Sequence, residues 1–80
     1  MKHVYVLQSL GTPGRFYTGI TDAPDARLEE HNSGKSPHTA KYRPWQMKVV
    51  VSVASDEQAR RFEIYLKSGS GRAFVKKHFG

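Results

Sequence analysis

The sequence predicts a small mixed α/β (α+β) domain with three strands and three helices, in the order strand, strand, helix, strand, helix, helix. Three observations lead there. Two strand-like runs flank the turn signal Gly11-Thr12-Pro13-Gly14, the stretch Trp45 to Val53 alternates with period two, and helix-start signals stand at Asp22-Ala23-Pro24-Asp25 and Ser55-Asp56-Glu57-Gln58. A length of 80 residues allows one domain, spanning 1–80, that buries roughly 60% of the unfolded chain's surface. With so small a core, an active site must share residues with the scaffold.

The first strand covers Val4 to Leu10, with Val4 and Val6 on one face and Tyr5, Leu7 and Ser9 on the other. Arg15 to Thr21 forms the second strand of a hairpin. A register pairing Tyr5 with Gly19 and Leu7 with Tyr17 puts both tyrosines on one face, whereas a slip of one residue separates them. Asp22 is the expected cap of a helix that has Pro24 in its first turn and Asp25 near the positive end of its dipole. That helix runs to about Asn32 and stops at Gly34. Its only large apolar residue is Leu28, so it buries little. Arg27 and His31 stand four apart on one of its faces, a spacing that suits either a site or a solvated mixed-charge surface.

A polar, basic connection follows from Lys35 to Arg43. In the third strand, Met47, Val49, Val51 and Val53 read as one face and Gln46, Lys48 and Ser52 as the other. Ser55 opens a capping box and a helix to about Lys67, on which Ala59, Phe62 and Leu66 form the apolar stripe. Glu63 falls at the edge of that stripe. A carboxylate there needs a cation, hydrogen bonds or a metal, and Lys67 four residues on is one candidate partner. Ser68-Gly69-Ser70-Gly71 reads as a break before a short basic helix from Arg72 to Phe79.

Thirteen Lys and Arg against seven Asp and Glu give a net charge of +6, interleaved with nine aromatic residues. That balance favours a polyanionic partner, with nucleic acid first. The absence of cysteine excludes disulfides, thiolate metal sites and a cysteine nucleophile. His3, His31, His38 and His78 show no metal-ligand spacing, and neither a Walker nor a dinucleotide-binding pattern is present. No run has the length of a membrane span, and Met1 to Tyr5 lacks the apolar segment of a signal peptide; a cytoplasmic protein with no membrane partner is expected.

Two hairpin tyrosines, an arginine and a histidine on a helix, and a glutamate beside an apolar stripe together suit phosphodiester hydrolysis with one hard divalent cation. In sequence order, His3-Val4-Tyr5, Tyr17-Thr18-Gly19, Arg27 and His31 within Ala26-Arg27-Leu28-Glu29-Glu30-His31-Asn32, and Glu63 on a later helix resemble the GIY-YIG nuclease superfamily. Thr39 to Trp45 and Glu63 to Lys67 are similar to its small stand-alone bacterial branch, related to the excinuclease C nuclease domain and Slx1-type structure-specific endonucleases.

The resemblance implies a three-stranded antiparallel sheet flanked by helices and a metal-dependent DNA endonuclease linked to repair or recombination. It implies Tyr5 as general base or orienter of the attacking water, ionised with the help of a nearby cation. Tyr17 would contact the scissile phosphate or the water, Gly19 would allow close approach, and Arg27 would hold the phosphate. His31 would assist proton transfer or serve as the alternative base. Glu63 would be the sole protein ligand of a single Mg²⁺ or Mn²⁺. Only the tyrosines and the final glycine match the family's name motifs, and the late asparagine of many relatives is missing after Glu63, with Ser68 and Ser70 as candidate substitutes.

Lys35, Lys41, Arg43, Lys67, Arg72, Lys76 and Lys77 are the candidate phosphate track. With no base-reading element, DNA recognition is expected to follow backbone and shape, with RNA as a second polymer and a protein partner as the source of target choice. The rival expectations are a binding module that has lost turnover and a subunit that cuts only with a partner.

Overall fold

The computed structural model describes residues 1–80. Strands β1 (Lys2–Ser9), β2 (Phe16–Thr21) and β3 (Trp45–Val53) form one sheet in the order β2-β1-β3, with β1 antiparallel to both neighbours. Helices α1 (Pro24–Ser33) and α2 (Pro37–Ala40) precede β3, and α3 (Asp56–Lys67) and α4 (Gly69–Phe79) follow it. The element order and antiparallel sheet agree with expectation. The single-turn α2 lies inside the segment read as a plain connection.

The hairpin takes the register that unites the tyrosines, with Tyr5 opposite Gly19 and Leu7 opposite Tyr17. One sheet face carries Val4 and Val6, packed with Ala59 and Leu66 of α3 and Val75 of α4. The other carries Tyr5 and Leu7 with Trp45, Tyr17, Leu28 of α1, Tyr42 and Met47. The sheet therefore separates two clusters, the first completed by α3 and α4 and the second by α1 and the segment before β3.

Third-strand alternation does not survive intact. The register against β1 shifts between Val6, which faces Val49, and Leu7, which faces Met47, so Lys48 is the extra residue of a bulge. Met47 and Trp45 consequently join the Tyr5 side, while Val49 and Val53 stay with Val4 and Val6. The single apolar face expected from sequence is split in two.

Helix ends also differ in part. Asp22 does not cap α1: Ala23 is the N-cap residue, Thr21 Oγ1 accepts from the Ala23 amide, and Asp22 instead pairs with Lys2 at 3.1 Å. Gly34 ends the helix as expected, with a left-handed φ of 86°. Ser55 caps α3 by accepting from the Gln58 amide, as its capping-box position requires. The expected break falls at Ser68 alone, and α4 begins at Gly69 rather than at Arg72. Ser68 accepts from the Gly71 amide and donates to the Tyr65 carbonyl, which occupies the hydroxyl expected to replace the missing asparagine. No helix is long and apolar enough to cross a membrane.

Glycine permits the α3–α4 corner, since a Cβ on Gly71 would collide with the Tyr65 carbonyl and the Leu66 backbone, whereas Gly69 faces open space. Gly71→Ala should therefore cost about 1–3 kcal/mol in urea unfolding, in the range of overpacked cores, while Gly69→Ala leaves the midpoint unchanged or raised.

Candidate functional site

The site is built around Tyr5, on the central strand. Tyr5 is 1% exposed. Its ring lies across the neighbouring strand on Gly19, where a Cβ would come within 2.5 Å of the phenol oxygen. The close approach at Gly19 is thus made by Tyr5 itself. No other residue type fits there without displacing the ring.

Helix α1 brings His31 and Arg27 to the phenol. Tyr5 Oη lies 2.9 Å from His31 Nε2, and Arg27 Nε donates to Tyr5 Oη at 3.4 Å. His31 is fully buried, and its Nδ1 lies 2.7 Å from Thr39 Oγ1 on α2. Because the Thr39 hydroxyl donates to the Ser36 carbonyl, its oxygen accepts from His31 Nδ1–H. In the tautomer with the proton on Nδ1, Tyr5 O–H donates to His31 Nε2, and Arg27 donates to the Tyr5 oxygen. Thr39 is the member of this chain that the sequence reading did not assign. A threonine just after a helix-starting proline gave no signal for it.

Trp45 and Asn32 hold the arrangement from behind. The Trp45 indole donates to the Thr39 carbonyl at 2.8 Å, and the Asn32 side chain exchanges two hydrogen bonds with the Trp45 backbone. Tyr17 is half-buried, with its ring centroid 4.9 Å from that of His31 and 6.3 Å from that of Tyr5. Its hydroxyl has no protein hydrogen-bond partner, unlike that of Tyr5. Arg27 reaches toward solvent and also pairs with Glu30 at 3.2 Å.

Burial dominates the electrostatics of the phenol. It raises the Tyr5 pKa above the ordinary value near 10, outweighing the Arg27 hydrogen bond, and the charge of Glu63 acts in the same upward direction. Arg27 is a nearby cation that favours the phenolate, as expected of one, but its pull is smaller than the desolvation. Burial first, and the Arg27 charge second, lower the His31 pKa. In the neutral range the pair is therefore a neutral phenol donating to a neutral imidazole.

Glu63 approaches from α3, on the other side of the sheet. Its side chain is 22% exposed, and Oε2 accepts from Lys67 at 3.3 Å. Oε1 has no protein partner and is not buried. No three His, Cys, Asp or Glu side chains converge in the chain, so a cation near Tyr5 would take Glu63 as its one protein carboxylate and fill its shell from water and phosphate. That donor set fits a hard ion such as Mg²⁺, which keeps several waters.

The basic residues fall into separate regions. Lys67, Arg72 and Lys76 line one cleft, together with Arg15, which the sequence reading did not single out. Lys41 and Arg15 lie over the Tyr42 ring, at 5.6 and 4.6 Å from its centroid, and the Arg43 guanidinium rests against Gly34. Lys35, Lys41 and Arg43 thus belong to the connection before β3. Lys77 is exposed and does not line the cleft.

Two tyrosines on neighbouring strands, an arginine and a histidine on one helix and a glutamate on another are thus brought together within a small α+β domain. The GIY-YIG catalytic domain matches residues 1–77, and the chain belongs to that family. It is similar to structure-specific endonuclease subunit SLX1 of Mycosarcoma maydis, 40% identical over 63 residues that cover 74% of this chain and 10% of that protein. The same-named protein of Scheffersomyces stipitis is 42% identical over 67 residues, covering 75% of this chain and 20% of that protein. A UPF0213 protein of Halalkalibacterium halodurans is 35% identical over 74 residues, covering 90% of this chain and 77% of that one. The chain thus spans a fifth or less of the two endonuclease subunits.

Because the folded state resists protonating His31, the unfolded chain binds more protons below the ordinary histidine pKa of about 6.5. The stability held above that pH should fall as pH drops toward the lowered folded value. Urea midpoints at pH 7.5 and pH 5 should show a smaller difference in His31→Gln than in the wild type.

Proposed function

We propose that the chain is a divalent-metal-dependent endonuclease that hydrolyses DNA phosphodiester bonds, selects its target by backbone shape and serves repair or recombination. The observation that carries this reading is the Tyr5–His31 hydrogen bond with Arg27 on the same phenol oxygen. Such a chain gives the phenol proton a place to go. It also sets a guanidinium, suited to a phosphate, beside the oxygen that would receive a proton from water.

On this reading, Arg27 turns from the Tyr5 oxygen to the non-bridging oxygens of the scissile phosphate, which frees that oxygen for the attacking water. The water gives its proton to the Tyr5 oxygen as the phenol proton moves to His31 Nε2, the water oxygen forms the new P–O bond, the bond from phosphorus to the leaving oxygen breaks, and that oxygen takes a proton from solvent water. Tyr17, with its unpartnered hydroxyl, contacts the phosphate or the water. Glu63 would hold the cation through its free oxygen, and a divalent ion there supplies positive charge to the phosphoryl and leaving oxygens. Both ring nitrogens of His31 are engaged, Nε2 by Tyr5 and Nδ1 by Thr39, so Tyr5 rather than His31 meets the water, and His31 acts behind it.

Support for DNA and for target choice by shape comes from the relatives named as structure-specific endonuclease subunits. The word subunit in those names motivates a protein partner as part of the proposal. RNA is the alternative polymer.

Tyr5→Phe should keep the fold and lower cleavage of flap or branched DNA by about 10²–10⁴-fold in Mg²⁺ or Mn²⁺, the usual worth of a positioned proton acceptor. Glu63→Ala should abolish the metal-stimulated part, as chelation does. Equal rates in wild type and Tyr5→Phe would remove the base role. DNA binding without cleavage by the wild type would favour the binding module or the partner-dependent subunit.

A further inference from the structure

Strand β3 forms one edge of the sheet, and the pleat decides which of its backbone groups face outward. Ser9 N–H donates to Arg15 on the β2 side and Leu10 N–H to Pro44 on the β3 side, so odd residues of β1 bond β2 and even ones bond β3. Val49, Val51 and Val53, opposite Val6, Val4 and Lys2, therefore turn their backbone groups inward, and Val50 and Ser52 turn theirs out. At the start of the strand, Asn32 satisfies the outward groups of Trp45. No hydrogen bond from outside the sheet reaches the backbone from Met47 to Val53.

Open strand edges are usually blunted by proline or charge. From Val49 to Val53 this edge carries neither, only valines and a serine, and Val50 is 43% exposed. Beside it on the α3 face runs an open groove of about 570 Å³, lined by the half-buried Val51, Val53 and Phe62 and by the exposed Tyr65 and Arg61. Arg61 is paired with Glu57, so no unpaired charge lines the groove. The opposite edge of the sheet differs. Arg15, Lys67, Arg72 and Lys76 gather beside β2, and pairing two such edges would set like charges together.

We infer that two copies of this chain associate through β3, antiparallel about a twofold axis at Val51, so that their three-stranded sheets join into one. The strand itself selects this occupant and register. With Val50 of one copy opposite Ser52 of the other, the outward N–H and C=O groups of both copies satisfy one another, whereas a slip of one residue sets outward groups against inward ones. On the α3 face the same register places Val51 against Val51 and Val49 against Val53, which carries the valine row into the groove. The charges that flank the valines are complementary: Lys48 precedes them, Asp56 follows them, and neither has an ion-pair partner within one copy. Antiparallel pairing brings Lys48 of each copy to the Asp56 end of the other. The net charge of +6 on each copy resides elsewhere in the chain and is screened over about 8 Å at physiological salt. None of this depends on the cleavage chemistry.

Sedimentation equilibrium of the full chain should show the mass rising from 9.1 kDa toward twice that value, with half-association at about 10–100 µM, as suits a small interface. Amide exchange followed by NMR locates the contact. Protection of Val50 and Ser52 should rise about tenfold from dilute to concentrated samples, while Val49 and Val51, already bonded to β1, stay unchanged. Because the chain has no cysteine, a single introduced one reports the register. In the inferred pairing the two Val51 Cα atoms lie about 4.5 Å apart, within disulfide reach, and the two Val50 Cα atoms about 9 Å apart, beyond it. In a glutathione redox buffer, Val51→Cys should therefore give about tenfold more covalent dimer than Val50→Cys.

A mass of 9.1 kDa at every concentration would overturn the inference and leave the edge to solvent or to a strand of another protein. So would a dimer whose slowed amides lie on α4 rather than at Val50 and Ser52, or one in which Val50→Cys cross-links as readily as Val51→Cys. Ser52→Pro removes an outward N–H without taking a bond from the β1 ladder, and it should raise the association midpoint about tenfold. An unchanged midpoint in a variant with the wild-type urea transition counts against the pairing. Should either substitution prevent folding, the mass and amide exchange of the wild type decide the question alone.

Discussion

A single buried hydrogen bond, from the Tyr5 hydroxyl to His31 Nε2, sets conditions that much of the chain is arranged to meet. Burying a phenol and an imidazole is favourable only if each polar atom finds a partner. The other imidazole nitrogen requires an acceptor, and Thr39 supplies it from the one turn of α2. That turn needs an anchor of its own, which the Trp45 indole gives by donating to the Thr39 carbonyl. Asn32, next to His31 in sequence, then ties α1 to the start of β3 through the Trp45 backbone. No buried side-chain polar atom in the chain lacks a partner. On the far side of the phenol the constraint is steric, and Gly19 meets it by having no side chain.

The sheet divides this network from the larger apolar cluster, and β2, an edge strand, is where the two sides meet. Tyr5, Arg27, His31 and Tyr17 belong to the α1 side, whereas Glu63 and the cationic cleft belong to the α3–α4 side. The Lys48 bulge makes this division workable with a nine-residue strand. Without it, Trp45 and Val49 would share one face, and the indole could not reach Thr39 while the valines closed over α3.

Small size explains why scaffold and site overlap. Val4, Tyr5, Val6 and Leu7 are consecutive buried residues, and the second of them carries the hydroxyl bonded to His31. Fixing a side chain by packing keeps its geometry narrow at little further entropic cost. The same packing desolvates the phenol and holds it neutral. Burial and ionisation therefore oppose each other at Tyr5, and Arg27 is the local charge that moderates the conflict.

Much of this was legible from the chain alone, because the signals involved are local. Period-two alternation around Gly11-Thr12-Pro13-Gly14 determined the hairpin, the Ser55 capping box determined the start of α3, and the motifs holding Tyr5, Tyr17, Arg27, His31 and Glu63 carried the resemblance to the family. Local signals failed where a distant group competed for the same atom. Asp22 was taken by Lys2, α4 begins at Gly69 rather than at Arg72 because Ser68 bridges α3 to α4, and the bulge in β3 follows from its pairing with β1 rather than from its own alternation. The protonation state of Tyr5 and the role of Thr39 were decided only by tertiary structure. Burial and the orientation of a hydroxyl depend on what packs around them, and residues 5, 31 and 39 meet through three different elements that no single sequence window contains.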